Sequence, residues 1–372
     1  MFGLELRQGR RMPLSPPVRY SSAVEDVKPD EGQTIERLNE TFDEILETVA
    51  KDSGHAVRSV HAKAHGILEG TLTVEPGLPP ELAQGMFATP GEHNVFIRLS
   101  TNAGDVLPDA ISLPRGLAIK VLNVAGERLP DADGTAQDFI LVNGKVFQAP
   151  NAEKFLGSLK MLAKTTDRLK GVKVAASAVL RGVNTALQAV GIESSTVASL
   201  GGAPNVNPLG EIYYSVTPFR YGDLVAKFSV APVSTALTSL TGEEIDASGR
   251  PDAIRETVRS KMRFIEGEWE FRVQLCRDLG RQPIEDPTVE WKEDEAPFVK
   301  VATIRARPQD SWDAERVDAV DERMRFSIWT GLTAHRPLGN INRARKETYK
   351  HSAEFRERFN GCPIHEQARP QG

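Results

Sequence analysis

The sequence predicts an α+β protein, an antiparallel β-barrel with a helical insertion over residues 151–202 and a helical C-terminal tail. Three observations lead there. Short runs rich in Val, Ile, Thr and Leu are separated by Gly, Pro and Asp clusters, the pattern of strands joined by turns. These runs form two groups, and between the groups the apolar residues switch to helical periodicity. After the second group the chain becomes mostly helical again. One antiparallel sheet or barrel with helices packed outside it accommodates that order.

Residues 1–34, rich in Pro, Ser and charge and without periodicity, read as an extended arm. The main domain follows, from 35 to 350. It opens with an amphipathic helix, because Leu38, Phe42, Ile45, Leu46 and Val49 recur at helical spacing and the pattern stops at Ser53-Gly54. From about Val57, "GILEGTLTVE", "HNVFIRLST", "RGLAIKVLN" and "DFILVN" read as strands. "NAEKFLGSLKMLAKTTDRLKG" and the apolar stretch after it return to helical spacing as far as Gly201-Gly202. The helices at about 171–200 are expected to cover the barrel, since apolar helices are most often buried; a channel lid or a membrane-surface contact is the alternative. Strands resume in "GEIYYSVTPFRYG", "LVAKFSVAPVS", "WEFRVQLCRD" and "FVKVATIRAR". In the tail, "NINRARKETYKHSAEFRERF" alternates charge at helical spacing and reads as a solvated or partner-facing helix, with 351–372 as the terminal segment.

Composition narrows the function classes. A chain of 372 residues with a formal net charge of -5 is long enough for a substantial core and gives no reason to expect nucleic acid as a partner. Cys276 and Cys362 are the only cysteines, too few for a disulfide framework or a CxxC metal site, and they fit a reducing compartment. The first residues lack a continuous apolar core for a secretory signal, and Lys173, Arg181 and Asn184 interrupt the most apolar stretch, so no transmembrane segment is expected and the cytoplasm is the expected location.

Arg58 to Gly66 reads "RSVHAKAHG". In a helix, His61 and His65 would lie one turn apart and could share a metal. In a strand they would share a face but stand about 13 Å apart, too far for one ion. Gly66 and Gly70 with the following "TLTVE" favour the extended form, and neither a glutamate beside His61 nor a third ligand is at hand.

Extended to Glu75, the stretch "RSVHAKAHGILEGTLTVE" resembles the segment around the distal histidine of haem catalases, where an arginine three residues before that histidine reaches a haem propionate. "FIRLSTNAGD" looks like the catalase "RFST" segment, "LPRGLAIKV" is similar to "RGFAVKF", and "DFILVNGKVF" to "NNxPVFF". "NAEKFLGS" falls where that family has a phenylalanine stacked near the haem. These matches occur in the family's order, over about residues 35 to 350. "HRPLGNINRAR" looks like a recurring tail motif of small bacterial catalase-like proteins, so the chain is most similar to members of the haem catalase superfamily that lack the usual proximal tyrosine.

The resemblance implies haem b as cofactor, His61 as the distal acid-base group, Ser100 as the hydroxyl orienting its imidazole and Asn143 as the distal amide. It makes Arg58 and Arg98 propionate partners and Phe155 the stacking aromatic. The chemistry is coherent: cleaving a peroxide O–O bond moves a proton between its oxygens, which a neutral imidazole mediates, while an amide polarises the peroxide and arginines pair with carboxylates. Taken singly, Arg58 and Arg98 read as surface charges, Ser100 as the start of a turn, Asn143 as the turn residue of "VNGK", and Phe155 as helix core. His65 lies outside the set and reads as structural or exposed.

The resemblance breaks at the proximal ligand. Catalases bind iron through the tyrosine of a segment like "RxFSY", with an arginine four residues earlier; here the segment is "ERMRFSIWTGLTAHRPLG". Arg325 precedes Trp329 by four residues, which puts these two at the haem-facing positions, and matching "FS" instead puts Ile328 there. Neither indole nor an isoleucine side chain can ligate iron. His335 is then the nearest candidate ligand, and Tyr349 a conceivable phenolate. Haem held only by its propionates and faces, or a fold that no longer binds haem, are the other possibilities. The expected function is a catalase-like haem protein acting on hydrogen peroxide or an organic, lipid-type peroxide as a peroxidase or weak catalase, monomeric or homo-oligomeric. The alternative is a haem-free member whose cavity binds an apolar small molecule.

Overall fold

The computed structural model describes residues 14–166 and 204–366. Helix α1, Glu31–Ser53, buries Leu38, Phe42, Ile45, Leu46 and Val49, the same residues whose spacing announces it. It ends at Gly54, which takes the left-handed conformation (φ 69°) and donates its N–H to the Ala50 carbonyl, an arrangement that glycine adopts without a steric penalty.

Among the described residues nine strands follow: β1 Ala64–Val74, β2 Gly91–Thr101, β3 Arg115–Val121, β4 Gln137–Val142, β5 Tyr213–Tyr214, β6 Phe219–Tyr221, β7 Leu224–Pro232, β8 Gly267–Leu275 and β9 Phe298–Ala306. Their order is β5-β4-β3-β2-β1-β9-β8-β7, every pair is antiparallel, and β5 pairs back onto β7, which closes an eight-stranded barrel. Strand β6 pairs with the start of β7 (Phe219 opposite Ala226) on the edge that β5 uses further along (Tyr213 opposite Val230), so one stave is broken at Ser215–Pro218.

Side chains alternate across a strand, and that parity organises everything outside the barrel. Val95, Ile97 and Leu99 of β2, Leu117, Ile119 and Val121 of β3, and Phe139 and Leu141 of β4 join Trp269, Phe271 and Val273 of β8 in the central core. The opposite parity carries Arg98, Ser100, Gly116, Ala118, Lys120, Asp138 and Ile140 to the outer face. There α1, α2 (Ala152–Thr166) and α4 (Asn340–Asn360) cover it, joined through Leu38, Phe42, Leu156, Ile341 and Ala344. A third helix, α3 (Ala253–Met262), packs on the barrel through Ile254, Val258 and Met262.

Two expectations need correction. Helix α4 runs across residue 350, so the segment from 351 is not a separate tail. Nor is α4 merely a solvated helix: Ile341, Asn342, Ala344, Thr348, Ser352 and Arg356 are buried at helical spacing. An apolar count passes over that face because four of these six residues are polar. Of the insertion read at 151–202, α2 is present through Thr166; the rest, including the apolar stretch at 171–200, lies outside the described residues. Among the described residues no helix is long and apolar enough to cross a membrane.

Candidate active site

His61 lies three residues ahead of β1 with a left-handed backbone (φ 55°), unusual for a residue with a side chain. The extended reading of "HAKAH" therefore holds for His65 and not for His61. The turn brings the imidazole over the outer face of the barrel, where Nδ1 lies 3.0 Å from Ser100 Oγ. Gly116 completes the seat, since a Cβ there would overlap the ring. His65 is fully buried instead, with Nε2 2.7 Å from the hydroxyl of Thr101. Ser100 and Thr101 are consecutive, so the two hydroxyls diverge and each serves one histidine. No group of three or more metal-ligating side chains occurs among the described residues.

Two cavities meet at His61, with about 580 and about 930 Å³ of empty space, part of it open to solvent. Both are bounded by Ser59, Val60, His61, Ile140 and Tyr349. The smaller is lined by Arg58, Arg98, Arg325 and Arg356, whereas the larger is mainly apolar, with Leu38, Phe42, Phe147, Phe155, Ile341 and Ala344. Burial, then the nearby charges of Arg98, Arg345 and Arg58, push the His61 imidazole down to about 3, so it is neutral at pH 7.

Arg98 is buried and Arg58 half-buried, so neither is a free surface charge, and they share one carboxylate. Asp321 Oδ1 accepts from Arg58 Nη1 and, at 2.8 Å, from Arg98 Nε. Despite burial, the surrounding guanidiniums hold the Asp321 carboxyl down at about 2. Phe155 lines the apolar cavity and packs against Phe147 with ring centroids 5.4 Å apart.

Of the remaining candidates only Arg325 reaches a cavity. Asn143 does not line either cavity: its Oδ1 accepts from the Arg115 N–H at 2.7 Å and its Nδ2 donates to Glu211 at 3.1 Å, so both amide atoms are engaged. Trp329 lies outside both cavities, donating Nε1–H to the Pro130 carbonyl at 3.1 Å, with Lys346 over its ring. Ile328 is the inward neighbour, fully buried against Ala118 and Ile140. Arg325 does reach the polar cavity, while its Nη2 donates to Asp133 at 2.9 Å. His335 is on the wrong side of the sheet: its ring lies within the barrel core among Phe87, Phe139, Tyr221 and Phe228, and Nε2 accepts from the Met86 N–H. It cannot face a group bound beside His61.

Of the face of α4 that does reach the cavities, sequence reasoning singled out Tyr349 alone, as a conceivable phenolate, and passed over Arg345, Ser352 and Arg356. Arg345, Tyr349, Ser352 and Arg356 stand four, three and four residues apart, which puts them on one helical stripe. Tyr349 borders both cavities, and Arg345 Nη2 donates to its phenol oxygen at 3.1 Å. That spacing was the available signal, masked by surrounding charges.

No family model and no curated protein matches the sequence. Solved structures do match in shape. A fungal catalase superposes with a TM-score of 0.57 at 15% identity, covering 86% of this chain and 65% of its own. Catalase A from Saccharomyces cerevisiae superposes with a TM-score of 0.59 at 17% identity, covering 86% of this chain and 66% of its own. The fold is catalase-like. This chain thus spans slightly under two thirds of the length of those catalases, and at such identity the likeness concerns the fold. The catalase-like barrel presents His61 and Ser100 on its outer face, beneath the helices that enclose the two cavities.

Proposed function

We propose that this chain is a catalase-fold haem protein that acts on hydrogen peroxide or an organic peroxide, as a peroxidase or weak catalase. One observation carries the reading: an imidazole and a phenol, His61 and Tyr349, border the same space, whose one end is arginine-lined and whose other is apolar. Haem, a flat apolar ring with two carboxylates on one edge, fits residues of that kind. Guanidiniums suit the carboxylates and the aromatic and aliphatic walls suit the ring faces. Tyr349 would hold it through its oxygen, which Arg345 keeps in place, and Arg58, Arg98 and Arg356 would hold its charged edge. When bound, haem iron supplies the two oxidising equivalents that peroxide chemistry requires.

The protein's own part is proton handling. Ser100 occupies Nδ1 of His61, which leaves Nε2 for a bound peroxide. Neutral at pH 7, that nitrogen accepts a proton from one peroxide oxygen and returns it to the other; its low proton affinity favours release. Asn143 is tied to Arg115 and Glu211, and the side-chain amides that line the cavities are Asn102 and Gln148, on the apolar wall. Buried Ile328 favours the second reading, a haem-free cavity for an apolar molecule.

Peroxide-dependent oxidation of a one-electron donor by the haem-loaded chain tests the first reading. His61→Ala should keep the haem absorbance and lower the rate by roughly 10²–10⁴-fold, the contribution of a positioned acid-base group. An unchanged rate would remove His61 from the chemistry.

A further inference from the structure

Behind the arginine end of the cavity lies a carboxylate that neither the sequence motifs nor the proton chemistry uses. We propose that Asp321 is a positioning residue that presents Arg58 and Arg98 to the carboxylates of the cavity's ligand, and so sets its preference for a diacid. This rests on the haem reading above.

Three arginines from three parts of the chain converge here: Arg58 from the segment before β1, Arg98 from β2 and Arg356 from α4. Left alone, three guanidiniums converging here, two of them buried and one half-buried, would repel one another and splay. Asp321 gathers them. Its Oδ1 accepts from both Arg58 Nη1 and Arg98 Nε, and its backbone carbonyl accepts from Arg356 Nη2 at 2.9 Å. Each of the first two is fixed a second time by backbone, Arg58 Nη2 on the Met324 carbonyl at 3.0 Å and Arg98 Nη2 on the Ala62 carbonyl at 3.2 Å, next to His61. The guanidiniums are thereby held at a set orientation before any ligand arrives, and little freedom remains to be lost on binding.

The local backbone is consistent with such a role. Asp321 belongs to a π-helical turn, Val317–Glu322, a rare wide turn that is frequent at functional sites. The turn packs Val320 against Ile67 and Met324 on the outer face of β1, which fixes where the carboxylate stands. Formal charges also match. Three guanidiniums against one carboxylate leave two positive charges among these four residues, the complement of a ligand with two carboxylates on one edge.

The competing possibility is that Asp321 merely occupies the arginines until a ligand displaces it. Metal-free protoporphyrin and its dimethyl ester, titrated into the full-length protein and followed by porphyrin fluorescence, separate the two. The wild type should prefer the diacid. Asp321→Asn should weaken diacid binding at least about tenfold, as expected for disturbed charge-assisted contacts, and leave the ester unchanged, with Asp321→Glu restoring part of the preference. A purely structural role would lower both probes together, and a displaced competitor would make the diacid bind more tightly in Asp321→Asn; either result overturns the proposal. If the wild type binds neither probe, or shows no preference, the haem reading fails and the proposal with it. Should Asp321→Asn not fold, the double variant Arg98→Gln/Asp321→Asn removes both charges of the pair. It too should lose the diacid preference, and retention would overturn the proposal.

Discussion

Placing a histidine beside a barrel takes three neighbours here: Ser100 on Nδ1, a left-handed turn at His61 itself, and the missing Cβ of Gly116. Gly116→Ala should destabilise the fold by about 1–3 kcal/mol through overpacking against the imidazole, measured by urea denaturation, and should weaken any ligand bound beside His61. Wild-type stability in Gly116→Ala would mean that the ring moves freely. His61 and Ser100 were singled out by the resemblance of their motifs to catalase segments, and the structure places them 3.0 Å apart. Asn143 and His335 show the limit of that reading. Motif order places a residue along the chain, but only strand parity and local turns decide the face, and both of these residues lie away from the cavity.

At the level of elements, the outer faces of β3 and β4 are held to the 326–330 segment by a fully buried ion pair. Lys120 and Asp138 lie directly opposite in register, Nζ sits 2.7 Å from Oδ1, and Oδ2 accepts the Ser327 N–H at 2.9 Å. Asp138→Ala strands the lysine and should cost about 3–5 kcal/mol in the same denaturation measurement. A cost under about 1 kcal/mol would mean that water reaches the pair, as at exposed salt bridges. Neither residue was singled out from the sequence, because a charge on a strand reads as solvent-facing until something covers that face. Helix α1 was legible for the opposite reason: its buried stripe is wholly apolar. The stripe of α4 mixes Arg345, Tyr349, Ser352 and Arg356, and its role became plain only once the cavities they line were seen.

Across the whole molecule, buried histidines tie stability to pH. His61 and His335 both sit at about 3 when folded, against 6.5 ordinarily, so the unfolded chain binds more protons between those values. Their contribution is fully present above about pH 6.5 and is lost as pH falls toward 3, by up to about 1.4 kcal/mol per pH unit for each histidine. Asp138, raised by burial to about 6, acts in the opposite sense, because its carboxyl takes up a proton in the folded chain first. His335→Gln should therefore flatten the decline in stability between pH 6.5 and 4 by about one proton's worth. Equal slopes in the two proteins would show that His335 is not held neutral.

The antiparallel barrel and its strand segments were legible from alternation and turn residues, whereas the order of the strands came from the structure. The central proposal is a haem site between His61 and Tyr349, and haem titration into the purified chain, followed by visible absorption, tests it most directly. The expected result is a Soret band at one haem per chain, with Tyr349→Phe altering the spectrum and weakening binding while His335→Gln leaves both unchanged. Absence of a band, or a band that survives Tyr349→Phe and disappears with His335→Gln, would contradict a haem site between His61 and Tyr349.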